Sequence, residues 1–212
     1  MPPPAATATF ERRTRSRHRT TLRRRRLALL LLVPVLAVTV LLTAPLFRRA
    51  YDDLHLPLAY TSIIRQQAAA KHLDPALVAA VIYAETKFDP RPSAAGAEGL
   101  MQILPQTAEF LARRSGATTF TVSDLGTPAV NIAYGSYYLR YLLNEYGGNE
   151  VLALAAYNGG ETNVDRWVAA AKDAGQSFTV SQIPFPETRA YVLKVLQAER
   201  DYRTAYASQL GE

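Results

Sequence analysis

Cysteine is absent from the 212 residues. That excludes disulfides, thiolate-bound zinc and thiol nucleophiles. It leaves the compartment open, because a domain with a sufficient core needs no disulfide. Histidine is scarce: His18, His55 and His72 are the only three, and no His-Glu-x-x-His pairing occurs among them. No Asp-x-Asp-x-Asp-Gly loop is present to hold calcium. The run "GAEGL" follows no strand pattern, so it is not a dinucleotide fingerprint. Ser93 lies outside any Gly-x-Ser-x-Gly frame. We therefore expect neither a metal nor a cofactor.

A basic surface on the body of the protein is also missing. The formal net charge is +6, but residues 1–49 carry eleven arginines against Glu11 alone, which is +10, and residues 50–212 are left at −4. An acidic body lacks the face that a phosphate backbone requires, so a nucleic-acid partner is not expected.

The basic arm precedes one long apolar run. Residues 1–26 are rich in Pro, Ala, Thr and Arg and end in "RRRR", which reads as a disordered tail. Leu27 to Phe47 follow, 21 residues with no charge and only Thr39 and Thr43 as polar side chains. A helix of that length spans a bilayer core of about 30 Å, and Pro34 is tolerated within it. The run exceeds the usual signal-peptide core and has no clean small-x-small cleavage site, so it reads as an uncleaved single-pass anchor. The arginines before it outnumber Arg48 and Arg49 after it. The N-terminus is then cytoplasmic and the body extracytoplasmic, at the cell membrane. Residues 48–60 read as a linker.

From residue 61 onward no convincing alternating strand occurs, and the fold class is all-α. "TSIIRQQAAAKH" reads as a helix. Asp74 is an N-cap with Pro75 at the first helical position, and Pro105, Pro128 and Pro186 open further helices. Gly116, Gly147 and Gly148, and Gly159 and Gly160 stop three of them, while Asn149 caps "EVLALAAY". Two helices, Ala76–Ala84 and Val151–Tyr157, are apolar on nearly all sides and belong in the core. Both end on polar residues at a turn, which is a way to deliver chemistry to a cleft.

Glu85 ends the first of these. Val78, Val81 and Ile82 precede it by seven, four and three residues and share its face. A carboxyl on a buried face holds its proton more tightly, because desolvation disfavours the charge. That is the property of a general acid at a glycosidic oxygen. The plainer reading pairs Glu85 with Lys87 or an arginine at an exposed helix end.

The flanking sequence favours the acid. "AETKFDPRPSAAGAEGLMQILPQTA", "ALAAYNGG" (153–160) and "IPFPETRAYVLKVL" (183–196) occur in that order. Together they resemble the signature of the lytic transglycosylases of the soluble type, in the lysozyme-like superfamily, from about residue 60 to 200. The resemblance implies an all-α, lysozyme-like domain over residues 61–212. It implies peptidoglycan glycan strands as substrate. The reaction it implies cuts the β-1,4 bond between N-acetylmuramic acid and N-acetylglucosamine without water, as the muramoyl 6-hydroxyl attacks C1 and leaves a 1,6-anhydro end. By this resemblance Glu85 is the single catalytic acid/base, and Ser93, Gln102, Tyr157, Glu187 and Tyr191 are substrate-binding or orienting residues. Tyr191, at i+4 from Glu187, is placed to orient Glu85.

Thr86 stands where the family usually has serine, and Leu104 where several members have methionine. The site residues also have structural readings: Ser93 as a loop residue, Gln102 as a helix cap, Tyr157 and Tyr191 as packing, Glu187 as a first-turn acid. Two other functions use the same fold, a lysozyme-like hydrolase and a non-catalytic wall-binding scaffold. Action within a cell-wall synthesis or envelope complex is a further expectation.

Overall fold

The computed structural model describes residues 38–44 and 56–211, and the chain divides into two units, residues 1–51 and 52–212. In the first unit, residues 38–44 form a helical segment with Val38, Val40, Leu41 and Leu42 exposed. The remainder of the Leu27–Phe47 run, and the basic tail before it, lie outside the described residues. Among the described residues no helix is long and apolar enough to cross a membrane.

The second unit is helical, and its order follows the proline and glycine punctuation. Helix α1 spans Thr61–Ala70, α2 Pro75–Thr86, α3 Pro105–Ser115, α4 Pro128–Glu145, α5 Glu150–Gly159, α6 Glu161–Asp173, α7 Pro186–Ala205 and α8 Ala207–Leu210. Short 3-10 turns occupy Val122–Gly126 and Val180–Gln182. Asp74 accepts a hydrogen bond from the Ala76 amide at 2.7 Å, and Asn149 accepts one from Leu152 at 3.2 Å, as helix caps do. Gly116, at φ 74°, ends α3 in a left-handed turn that glycine adopts without strain. Helix α6 was not anticipated from sequence: Gly160, which follows the end of α5, is also its N-cap, so the stop signal hid the start.

Helix α2 is the centre. Every residue from Ala76 to Ile82 is buried, and α7 packs along it most extensively. Burying Leu77, Val78, Val81 and Ile82 stabilises the fold by about 1.5–3 kcal/mol each, an upper figure for an unfolded chain taken as extended. Helix α5, with Ala153 to Ala156 fully buried, packs on α4, α6 and α7, and its small side chains permit that close packing. Arg203 of α7 bridges Asp74, the N-cap of α2, and Glu199. Residues 56–60, expected as linker, pack with the body: Leu56 is buried, and the Tyr206 and Tyr202 hydroxyls donate to the carbonyls of Leu56 (2.9 Å) and Pro57 (2.5 Å).

Candidate active site

Glu85 is the last but one residue of α2. The helix stops because Lys87 (φ 52°) and Phe88 (φ 64°) both enter the left-handed region. Two consecutive non-glycine residues there hold strain that the surroundings must enforce. Phe88 supplies part of that enforcement by packing edge-on to Tyr202, centroids 6.3 Å apart. The chain then runs out over 89–97 and returns.

The returning loop is a hydrogen-bonded knot behind the acid. Glu98 and Ile103 exchange backbone bonds of 3.0 Å as an isolated bridge, which closes the turn Gly99–Gln102. Gly99 sits at φ 73°, and a Cβ there would lie 2.2 Å from the Asn131 amide nitrogen. Only glycine fits on both counts. Leu100 and Met101 point into the core with no exposure. Asn131 of α4, itself fully buried, accepts from the Met101 amide at 2.7 Å and donates to the carbonyls of Glu98 (2.8 Å) and Leu125 (3.1 Å). Thr86 donates to the Leu100 carbonyl at 2.8 Å, and Tyr157 to the Met101 carbonyl at 2.8 Å. Polar groups buried this deep must be paired, and here four of the bonds fix the loop to a helix while the one to Leu125 ties α4 to the first 3-10 turn.

These contacts sort the residues expected at the site. Glu85, Tyr157 and Tyr191 come together, as their mutual electrostatic influence records. Gln102, at φ 49°, uses its side-chain N–H groups internally, donating to Arg91 O at 2.7 Å and Gly99 O at 2.8 Å. Its side-chain oxygen is the part left to meet a ligand. Ser93 braces a local turn: its hydroxyl accepts from the Ala97 amide at 2.9 Å, and its own amide donates to Ala97 O at 2.9 Å. Glu187 is exposed in the first turn of α7, one turn before buried Tyr191. Leu104 is exposed.

The Glu85 carboxyl remains partly open to solvent, yet burial pushes its pKa up from the ordinary glutamate range to about 7. The Tyr191 hydroxyl and then Lys194 oppose that rise. Tyr191 Oη is fully enclosed and meets no hydrogen bond of good geometry, so it faces the carboxylate without closing a bond. Burial, then the charge of Glu85, hold both Tyr157 and Tyr191 well above the usual phenol range, so both stay protonated donors. Behind Tyr157 stands Tyr138, with ring centroids 5.2 Å apart.

Sequence reasoning did not reach Lys194, Asn131 or Tyr138. Lys194 lies three residues after Tyr191 and seven after Glu187, on the same helix face, which is the signal that would have found it. Asn131 is a lone amide on the apolar side of α4, beside Ile132.

Comparison with known proteins identifies the family. The sequence profile of the transglycosylase SLT domain matches residues 62–179. The chain belongs to the transglycosylase SLT domain family. It is 34% identical over 151 residues to the soluble lytic murein transglycosylase of Escherichia coli K12, covering 69% of this chain and 23% of that protein. It is 32% identical over 174 residues to the membrane-bound lytic murein transglycosylase C of Mannheimia succiniciproducens, covering 69% and 47%. The crystal structure of an inactive Glu-to-Gln variant of the Pseudomonas aeruginosa lytic transglycosylase Slt superposes with a TM-score of 0.66 at 31% identity, over 73% of this chain and 25% of that one. This family member therefore corresponds to about a quarter of its large soluble relatives and shares their helical fold.

Proposed function

We propose that the chain is a membrane-tethered lytic transglycosylase that cuts peptidoglycan glycan strands without water, with Glu85 as sole acid and base. The observation that carries this reading is Glu85 itself, a carboxyl at the end of a buried helix, raised to about 7 by burial and opposed by Tyr191 and Lys194, with Tyr157 within reach of its charge. At neutral pH about half of such a carboxyl is protonated and able to protonate the leaving oxygen, and the carboxylate so formed can accept the proton of the 6-hydroxyl.

Among the described residues, no second carboxylate figures among the groups that act on Glu85. Asp89 is exposed and paired with Arg91 at 3.8 Å, and Glu187 is exposed on α7. A hydrolase of either stereochemistry needs a second carboxylate to act as nucleophile or base. A substrate hydroxyl removes that need and gains the effective molarity of an intramolecular attack. Tyr157 and Tyr191, protonated throughout, would hold the reacting sugar or the acid, and the Gln102 oxygen would take a further contact.

The relatives support the substrate, since their names are those of murein transglycosylases and one is membrane-bound. The apolar run Leu27–Phe47 supports the tether, with the catalytic unit extracytoplasmic.

The test is digestion of purified sacculi by the full chain, read by mass spectrometry. Muropeptides lighter by one water, absent with Glu85→Gln, are expected. Fully hydrated reducing ends would instead mean a lysozyme-type hydrolase, and no product from either protein a binding role.

A further inference from the structure

The Glu85 carboxyl belongs to α2, but the groups that oppose its rise in pKa sit on one face of α7. Tyr191 and Lys194 lie a turn apart there. The Lys194 ammonium donates a 2.7 Å hydrogen bond to the carbonyl of Ala84, the residue immediately before the acid. That carbonyl is one of the last four of α2, which have no partner within the helix and carry the negative end of its dipole. The same ammonium lies 5.3 Å from the centroid of the Tyr83 ring. One cation therefore grips two consecutive residues of the helix end that presents Glu85. Its side chain is half-buried, so solvent screens it less than a surface lysine.

We propose that Lys194 is a positioning residue for this reaction: it caps the helix end that carries Glu85 and keeps a positive charge beside that carboxyl, and so sets the pH range over which the acid keeps its proton.

The proposal rests on Glu85 as the acid. Among the described residues, Tyr191 and Lys194 from α7 and Tyr157 from α5 face that carboxyl, with Tyr138 of α4 behind Tyr157. Lys87, just beyond the end of α2, acts on Lys194 rather than as a partner of the acid. Burial and then Lys87 lower the Lys194 pKa, while Glu85 raises it. Among the described residues Lys194 is the one cation that acts on the acid, and both tyrosines are held neutral. Its removal leaves Tyr191 as the group that opposes burial. The direction follows. Without the charge, protonated Glu85 persists to higher pH, so the falling alkaline limb of activity moves up. The carboxylate needed in the second half of the reaction becomes scarcer at the acid end, so the rising limb moves up as well.

The experiment compares pH–rate profiles of the full chain on purified sacculi for wild type, Lys194→Met, Lys194→Gln, Lys194→Arg and Glu85→Gln. Met keeps the alkyl stem, Gln keeps a donor for Ala84 O, and Arg keeps the charge. In parallel, the Glu85 carboxyl is titrated by carbon NMR, which reads the acid without any turnover. An alkaline displacement of roughly 0.5–1 pH unit in both Met and Gln is expected, with Arg close to wild type and the NMR midpoint moving by the same amount. Coincident profiles and midpoints for wild type, Met and Gln would overturn the proposal, as would a displacement in Met that Gln fully restores, because the hydrogen bond alone would then account for it. Activity retained by Glu85→Gln is a different failure: it removes the acid assignment itself, whatever Lys194 does.

Discussion

Thr86 Oγ1 lies 2.8 Å from the carbonyl oxygen of Leu100, so the residue beside the acid is bonded directly to the loop fourteen positions on. The same hydroxyl lies 3.2 Å from Ile82 O within α2. Thr86 is buried, and its hydroxyl joins the end of α2 to the turn that carries Gln102. A serine hydroxyl at this position can make the same bond. Thr86→Val keeps the shape and strands a buried carbonyl. It is expected to cost about 1–3 kcal/mol in chemical denaturation and to lower kcat more than Thr86→Ser does. Equal stability of the valine and serine variants would show that the bond carries no weight.

Glu85 itself should trade stability for chemistry. Its folded-state pKa, about 7, lies above the ordinary value of 4.5. The folded state therefore binds the proton more tightly than the unfolded chain does. The stability linked to that proton is fully present below about pH 4.5 and is lost as pH rises through 7. Across that window wild type should lose up to about 3 kcal/mol that Glu85→Gln keeps, a figure reduced by the partial exposure of the carboxyl. The variant should then melt higher than wild type at pH 8 and at the same temperature at pH 4.5, while activity falls at least about a hundredfold. Superimposable Tm curves at both pH values would mean that the carboxyl is not desolvated.

Asn131 closes three hydrogen bonds, to Met101, Glu98 and Leu125, in a site with no exposure. Asn131→Ala leaves several buried backbone groups without partners and should destabilise by about 3 kcal/mol or more. Gly99→Ala attacks the same knot from the other side, where the new methyl would meet the Asn131 side chain at 2.2 to 2.4 Å and a φ of 73°. The two substitutions share a site, so their costs should not add in the double variant. Additive urea midpoints would argue against a common knot.

Tyr157→Phe removes the donor to Met101 O and keeps the ring against Tyr138. A modest loss of about 1–2 kcal/mol in stability is expected. Activity should fall further than Tm suggests, because the hydroxyl also lies among the groups around Glu85. Loss of stability with kcat/KM intact would return Tyr157 to a packing role.

Much of the fold was legible in the sequence. The prolines at 75, 105, 128 and 186 and the caps at Asp74 and Asn149 act within one turn of themselves, and local signals of that kind mark helix starts directly. The all-round apolar character of α2 and α5 required burial, and both lie in the core. The apolar face that Glu85 shares with Val78, Val81 and Ile82 predicted a raised pKa for its carboxyl, and burial raises it. What the sequence alone determined, then, is the set of short helices, which of them are central, and which carboxyl ends the most buried one.

Only the tertiary structure decided what surrounds that carboxyl. Lys194 is 109 positions from Glu85 and Asn131 is 46, and no periodicity links residues on different helices. Their proximity follows from α7 and α4 packing against α2 and the returning loop. The same packing gave Gln102 and Ser93 bracing bonds within the loop, because a backbone knot of this kind must satisfy its own buried donors and acceptors before it can offer any to a ligand.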